Sequence, residues 1–359
     1  MNPENTRHRL AKVTISPEAT IAEALDVLDK GGIGILLLCD ETGKIVGVLT
    51  DGNIRRAIMN NISLDSSCLS IATANPLTAP VGTDAAKALH LMNHARDFLV
   101  NHLPIVDSQG KAVDLLLRGD LLHEEGIQLQ AVVMAGGFGK RLHPLTEDMP
   151  KPMLPIGERP IMEHIIDKLK SSGIKNINVT THFMANKIKD YFGDGRDFGV
   201  EIEYVSEDKP LGTAGALGLM DAPDLPVLVI NGDIMTNVDF RAMLDYHREH
   251  KADLTVGARA YDVSIPYGVI ECDGVIIKTI REKPTQKFLV NAGIYLLSPV
   301  VYNHIPKDEH YDMTDLIEKL ISKKYRVITF PIMEYWIDIG RHADYDKARS
   351  DLLNGRIKT

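Results

Sequence analysis

Apolar positions in the first third of the chain fall into two patterns. Ile21, Ala24, Leu25 and Leu28 recur at helical spacing, with Ser16-Pro17 and Thr20 ahead of them as capping candidates. Residues 33–39 form a continuous apolar run, Asp40-Glu41-Thr42-Gly43 is turn chemistry, and residues 45–49 are apolar again. The pattern predicts a β-hairpin followed by a helix over 50–59. It then repeats. Leu103-Pro104-Ile105-Val106-Asp107 matches Leu36-Leu37-Leu38-Cys39-Asp40, and Gly110-Lys111 matches Gly43-Lys44, an offset of 110 − 43 = 67. Each copy is too short to bury a core alone, so the two are expected to pair.

From residue 131 the pattern changes. Short apolar runs at 131–134, 177–181, 200–205 and 227–230 read as buried strands. Helical stretches at 160–169 and 184–192 fall between them, the first with Pro160 at its start and Gly173 beyond its end. Strands alternating with helices predict an α/β fold with a doubly wound, mainly parallel sheet of Rossmann-like type. The division expected is 1–64 and 65–124 for the two repeats and 125–359 for the α/β domain. Residues 121–128 form a short linker without proline, with Gly126 as its one flexible point.

Composition adds mostly exclusions. The 359 residues are 44% hydrophobic and 25% charged, ordinary for a globular protein, and carry a net charge of −9. No Lys/Arg block runs along the chain, which argues against nucleic acid as a partner. A phosphate ligand would therefore need a local basic pocket. Cys39, Cys68 and Cys272 form no CxxC pair, so incidental thiols are expected rather than a disulfide or zinc framework. The N-terminal MNPENTRHRL lacks an apolar core, and no stretch approaches ~20 apolar residues. A cytoplasmic protein without a membrane partner is expected.

Candidate chemistry starts directly after the 131–134 run, at Ala135-Gly136-Gly137-Phe138-Gly139-Lys140-Arg141. Glycines let backbone N–H groups approach an anion, Arg141 offers a bidentate fork, and Lys151, between Pro150 and Pro152, offers a compact charge. The alternative is a glycine turn with solvated basic residues. No GK[ST] ends the loop, and Leu142 stands where the dinucleotide fingerprint needs its third glycine. A second candidate is Asp233, just past the 227–230 run, where open α/β sheets bind ligands; a helix cap or turn residue is the alternative.

GGFGKRLHPLT, followed by PKPMLPI at 150–156, resembles the signature of the sugar-1-phosphate nucleotidyltransferases, and the resemblance extends over about residues 129–345. It implies transfer of a nucleotidyl group from a nucleoside triphosphate to a sugar 1-phosphate. Arg141, Lys151 and Lys283 would be catalytic. Ala135, Gly136, Gly137, Gly139, Glu207, Gly212 and Thr213 would bind the nucleotide, and Gly268, Glu282 and Asn291 the sugar. Asp233 and Asp338, the latter in Trp336-Ile337-Asp338-Ile339-Gly340, would hold Mg²⁺. A carboxylate at 207 can accept both donors of the guanine edge, which points to GTP; a solvated loop acid is the alternative.

Gly47-Val48-Leu49-Thr50-Asp51-Gly52-Asn53-Ile54 resembles the closing motif of a CBS domain. By that resemblance Thr50, Asn53 and, in copy two, Asp120 would touch an adenine-containing nucleotide. Leu117 replaces the second threonine and Asp114 the motif glycine, and a packing and dimerisation element without ligand is the alternative. A CBS pair ahead of such a transferase is similar to the glucosamine-1-phosphate guanylyltransferases of bacterial legionaminic acid synthesis, with mannose-1-phosphate guanylyltransferases as nearest competitors. A nucleotide-sensing regulator with an inactive transferase domain is the rival from another class. A homo-oligomer is expected.

Overall fold

The computed structural model describes residues 9–96, 100–122 and 129–357. Most of the expected linker, residues 123–128, and the first eight residues lie outside these. Two compact units emerge, residues 1–127 with Arg241–Lys251, and residues 128–240 with 252–359.

In the first unit the sequence repeat is a structural one. Helix α1 (Ile21–Gly31) is capped by Thr20, whose side chain and that of Glu23 exchange bonds with each other's backbone. Strands β1 (Ile35–Cys39) and β2 (Ile45–Thr50) pair antiparallel and lead into α2 (Asp51–Met59). After α3 (Ala85–His94) the same series returns as β3 (His102–Val106), β4 (Ala112–Leu117) and α4 (Arg118–Leu122). The strand starts are 102 − 35 = 67 residues apart, the offset read in the sequence. The two hairpin turns meet at equivalent positions, Lys44 bridging Lys111 and the Ile45 N–H donating to the Gly110 carbonyl at 3.1 Å. Leu36, Leu37, Leu38 and Ile54 are fully buried in copy one; Ala88, Met92 and Leu103 fill copy two.

The second unit is built on a seven-stranded sheet. Its elements are β5 (Gln130–Met134), α5 (Ile161–Ser171), β6 (Asn176–Thr181), α6 (Ala185–Phe192), β7 (Glu201–Ser206), β8 (Val227–Asn231) and β9 (Ile234–Thr236). After α7 (Phe240–Glu249) come β10 (Leu254–Ser264), β11 (Val269–Asp273), β12 (Ile276–Arg281) and β13 (Thr285–Leu297). The chain ends with α8 (Met313–Ser322), β14 (Val327–Ile332), β15 (Trp336–Asp338) and α9 (His342–Leu353). The sheet order is β7-β6-β5-β8-β13-β10-β14. All neighbours are parallel except those of β13, which runs antiparallel to β8 and β10. The fold is α/β with a mostly parallel sheet, and residues 131–134 of β5 and 227–230 of β8 are apolar because both faces are covered. Val132, Val229, Leu254, Leu297 and Leu316 share one core.

Two features differ from the sequence reading. Pro160 is the N-cap of α5 rather than its first helical residue. Most of α7, which lies in chain order within the α/β domain, belongs by contact to the first unit. Within that unit Arg56 donates to Glu249 at 2.6 Å, and Tyr246 and His247 are buried. Among the described residues, no helix is long and apolar enough to cross a membrane.

Candidate active site

The loop after β5 is shaped by what surrounds each glycine. A Cβ at Gly136 would stand 2.6 Å from Glu207 Oε1, so only glycine lets the loop pass over that carboxylate. Gly139 has φ +64, and a Cβ there would meet Thr146 and Lys151 at 3.0–3.2 Å. The Thr146 hydroxyl donates to the Gly139 carbonyl at 2.9 Å and pins this turn. Gly137 alone has open space beside it, and Arg141 is exposed on the short 3₁₀ turn that follows. The Ala135 N–H donates to the Thr180 carbonyl, continuing the sheet into the loop.

Lys151 opens a second 3₁₀ turn behind Pro150 and is buried, with 9% of its surface accessible. Its ammonium bonds Asp233 Oδ2 and lies 3.9 Å from Asp338 Oδ1. The two aspartates, 338 − 233 = 105 residues apart, are joined by an antiparallel pairing of β9 with β15 in which Ile234 faces Asp338. Sequence spacing contains no trace of this pairing. Asp233 Oδ1 and Asp338 Oδ1 are both buried without a hydrogen-bond partner. Burial, with the neighbouring Asp233 charge, raises the Asp338 carboxyl above its usual range; Lys151 and Arg141 pull the other way. Arg141 Nη1, Asp338 Oδ1 and Asp344 Oδ2 all lie 3.7 Å from where a Cβ on Gly340 would be.

Unpaired buried carboxylate oxygens are costly, and a hard cation is a group that satisfies them. The donor set fits Mg²⁺, because all the oxygens come from two carboxylates. Among the described residues no group of three or more His, Cys, Asp or Glu side chains gathers as a metal centre. The remaining coordination would fall to substrate oxygens and water, as Mg²⁺ commonly accepts. Lys151 offsets one of the pair's two negative charges.

Glu207 is buried rather than solvated. Its Oε2 accepts the Leu211 N–H at 3.0 Å, its carbonyl accepts from His182 at 2.8 Å, and burial raises its carboxyl above the usual range. Gly212 and the neighbouring Gly215 pack closely against the chain at 309–312, with Asp312 Oδ1 at 2.6 Å from a Cβ on Gly212 and the Glu309 carbonyl at 2.5 Å from one on Gly215. Asp312 accepts from the Thr213 N–H at 3.0 Å, and the Thr213 hydroxyl accepts from Met313. Asp312 caps α8, 99 residues on from Thr213, and the sequence carries no signal for this clasp.

The sugar-binding candidates lie along a β-ribbon and at its base. Gly268, Glu282 and Lys283 occupy the exposed junctions of a β-ribbon, with Glu282 Oε2 3.1 Å from where a Cβ on Gly268 would stand. Lys283 has φ +43, a left-handed conformation uncommon for lysine. Asn291, at the ribbon's base in β13, accepts the Gly293 N–H at 3.0 Å. Gly293 in turn has Asn231 Nδ2 2.6 Å from its absent Cβ, and Asn231 Oδ1 is a further buried oxygen without a partner. The sequence reading did not single out Asn231; its place at the end of β8 was the available signal.

In the first unit the three nucleotide candidates are engaged internally. Thr50 and Asn53 form a reciprocal cap on α2, and the Asn53 amide donates to the Ile71 carbonyl at 3.0 Å. Asp120 accepts from Arg9 at 3.1 Å.

The glycine loop at the end of β5, the joined aspartates and the mostly parallel sheet define a nucleotidyltransferase-type domain. Residues 130–355 match the nucleotidyl transferase family and residues 10–60 and 69–126 the CBS domain, so the chain belongs to the nucleotidyl transferase family and carries a CBS pair ahead of that domain. It is 30% identical over 237 residues to the mannose-1-phosphate guanylyltransferase of Mycobacterium tuberculosis, covering 64% of this chain and 66% of that one. It is 33% identical to the D-glycero-alpha-D-manno-heptose 1-phosphate guanylyltransferase of Aneurinibacillus thermoaerophilus, over 62% of this chain and 98% of the relative. A UTP–glucose-1-phosphate uridylyltransferase of Synechocystis is also 33% identical, over 64% of this chain and 65% of that one. The match thus spans about two thirds of the length of several relatives. Among solved structures, HddC from Yersinia pseudotuberculosis aligns with TM-score 0.50 and 26% identity, over 62% of this chain and 99% of that one.

Proposed function

We propose that the protein transfers GMP from GTP to a sugar 1-phosphate, with glucosamine 1-phosphate as the acceptor, and releases pyrophosphate. The observation that carries this reading is the pair of partnerless buried oxygens on Asp233 and Asp338 beside Lys151, at the strand ends next to the glycine loop. Two relatives named as guanylyltransferases support the choice of GTP, and one named as a mannose enzyme keeps mannose 1-phosphate as the competing acceptor.

A phosphate oxygen of the sugar phosphate is anionic near neutrality, so no general base is required. That oxygen forms a bond to the α-phosphorus while the bond from the α-phosphorus to the bridging oxygen breaks, and pyrophosphate leaves with the electron pair. Positioning and charge neutralisation do the rest. The amides of Gly136–Gly139 and Arg141 hold the β- and γ-phosphates. Lys151 turns from the aspartates to the α-phosphate. Asp233 and Asp338 hold Mg²⁺, which supplies Lewis-acid neutralisation of phosphate oxygens. Lys283 balances the charge of the acceptor phosphate, while Glu282 and Asn291 accept from or orient its hydroxyls beside the Gly268 backbone. Glu207 reads the guanine edge, with Gly212 and Thr213 shaping the base segment.

The duplicated module is assigned one adenine nucleotide per pair, with Thr50, Asn53 and Asp120 as its contacts, that tunes activity. Such a ligand would exchange the Thr50–Asn53 cap for contacts of its own. Pyrophosphate release assayed over a grid of GTP, UTP and dTTP against glucosamine, mannose and glucose 1-phosphates tests the main reading. Highest turnover with GTP and glucosamine 1-phosphate is expected; turnover with no pair would favour an inactive regulator.

A further inference from the structure

The segment from Ala260 to Leu289 has no buried residue, and all of it is exposed except Ile265, Val269 and Pro284. It is a ribbon two strands wide. The outer halves of β10 and β13 pair as far as Ser264 with Thr285, the Ile265 N–H donates to the Pro284 carbonyl, and β11 with β12 carry the ribbon to a turn at Gly274-Val275. A two-stranded ribbon in water is marginal at best. This one is also apolar: ten of the 23 large hydrophobic residues exposed among the described residues fall on these 30 positions. Monomers scatter such residues singly, so the concentration marks a contact surface.

The register shows how the surface is organised. Ile270 faces Ile280 and Cys272 faces Ile277, which puts these four side chains on one side of the outer hairpin. The other side carries Glu271, Thr279 and Arg281, with Arg281 bonded to Glu271. Nearer the sheet, Tyr261 faces Phe288 across β10 and β13.

We propose that this ribbon is the interface with a second copy of the same chain. Three observations select that partner. The exposed apolar residues offer roughly 1,000 Å² over the two sides of the ribbon together, at typical side-chain areas of 150–250 Å² for the aromatics, the same order as the ~800 Å² per partner of a stable interface. The ribbon carries four acidic and four basic residues, with Arg281 on Glu271 and Lys278 on Asp273 at 2.9 Å, so its charges sum to zero and it presents no net field to select a strongly charged partner. Strands β11 and β12 each pair only with one another, leaving an open antiparallel edge that a two-fold axis can join to its own copy. The interface also steadies the junction residues Gly268, Glu282 and Lys283, a consequence that rests on their assignment to the sugar phosphate.

Cys272 is an exposed thiol on the apolar side and serves as the probe. The full chain should sediment as a species of two 39.7 kDa chains at micromolar concentration. Alkylation of Cys272, read by peptide mass spectrometry, should slow at least about tenfold between dilute and concentrated protein, as mass action requires. Ile280→Glu and Ile277→Glu replace side chains already 65% and 58% exposed, so the fold is kept. Each should return Cys272 to the fast, concentration-independent rate. A wild-type chain that stays monomeric overturns the proposal. So does a dimer in which Cys272 reacts as fast as in Ile280→Glu, or in which neither variant changes the rate, since docking would then lie elsewhere. None of these readouts depends on catalytic activity.

Discussion

Two pairs of polar residues stand at strand ends in this molecule and meet opposite fates. Thr50 and Asn53, where β2 meets α2, spend their hydrogen-bonding capacity on each other, on the start of the helix and on the Ile71 carbonyl. Asp233 and Asp338, where β9 meets β15, keep one buried oxygen each without a hydrogen-bond partner. The first arrangement stabilises the fold as it stands. The second costs stability, and a fold keeps such a cost where the unpaired oxygens serve a function. The difference between closed and open valences separates a structural cap from a candidate reaction centre.

The largest test of that contrast is at the aspartates. Asp233→Asn and Asp338→Asn should each lower turnover with Mg²⁺ by about 100-fold or more, a loss of several kcal/mol in transition-state stabilisation, with circular dichroism unchanged. Near-wild-type turnover in either variant would remove the open pair from the chemistry and place it beside Thr50 and Asn53 as structure.

Next is Lys283. Its Ala variant should lose roughly 1.5–3 kcal/mol of interaction with the sugar phosphate, about 10- to 150-fold, while GTP affinity is kept. Equal loss for both substrates in steady-state assays would show that the lysine had been given the wrong ligand.

How much of this was legible beforehand differs between the same two regions. The strands β1, β5 and β8 are continuous apolar runs and were read directly, and the 67-residue repeat survives intact in three elements. The glycine loop was legible because its chemistry is local. The joining of Asp233 to Asp338 was not, since β-pairing across 105 residues leaves no period in either segment. Nor was the clasp of Thr213 by Asp312, which packs Gly212 and Gly215 closely against the chain at 309–312. The exposed ribbon of β11 and β12 was not legible either, because its isoleucines read in sequence like those of a buried strand. The lodging of α7 with the first unit is likewise a matter of contact alone.

A smaller effect attaches to Glu207. Glu207→Gln should narrow the preference for GTP over UTP by about 1–3 kcal/mol, the worth of one bidentate base contact. It also carries a pH signature. Burial raises the folded carboxyl above its value of 4.5, so the folded state holds this proton more tightly than the unfolded one. The stability from protonated Glu207 is complete below the unfolded value and is lost as pH rises through the folded one. The melting temperature of Glu207→Gln relative to wild type should therefore climb from pH 4.5 upward and then level off. A difference that falls with pH would show that the carboxylate, not the acid, is favoured in this pocket.

The smallest effect lies at the closed pair, and it sharpens the contrast from the other side. Thr50→Ala removes an N-cap, which costs about 1 kcal/mol. Its hydroxyl also bonds Asn53 Oδ1 at 2.7 Å, so the loss should be felt by the whole α2 start. A lower urea midpoint for the first unit, with GTP turnover unchanged in the absence of adenine nucleotide, is the expected result. Calorimetry with AMP and ATP on the full chain then separates the two uses of the residue. If the nucleotide replaces the cap, wild type binds and Thr50→Ala binds more weakly. If neither chain gives heat with either nucleotide, the closed valences of copy one are its whole function, and Asp233 with Asp338 is the one pair of the two that is waiting for a ligand.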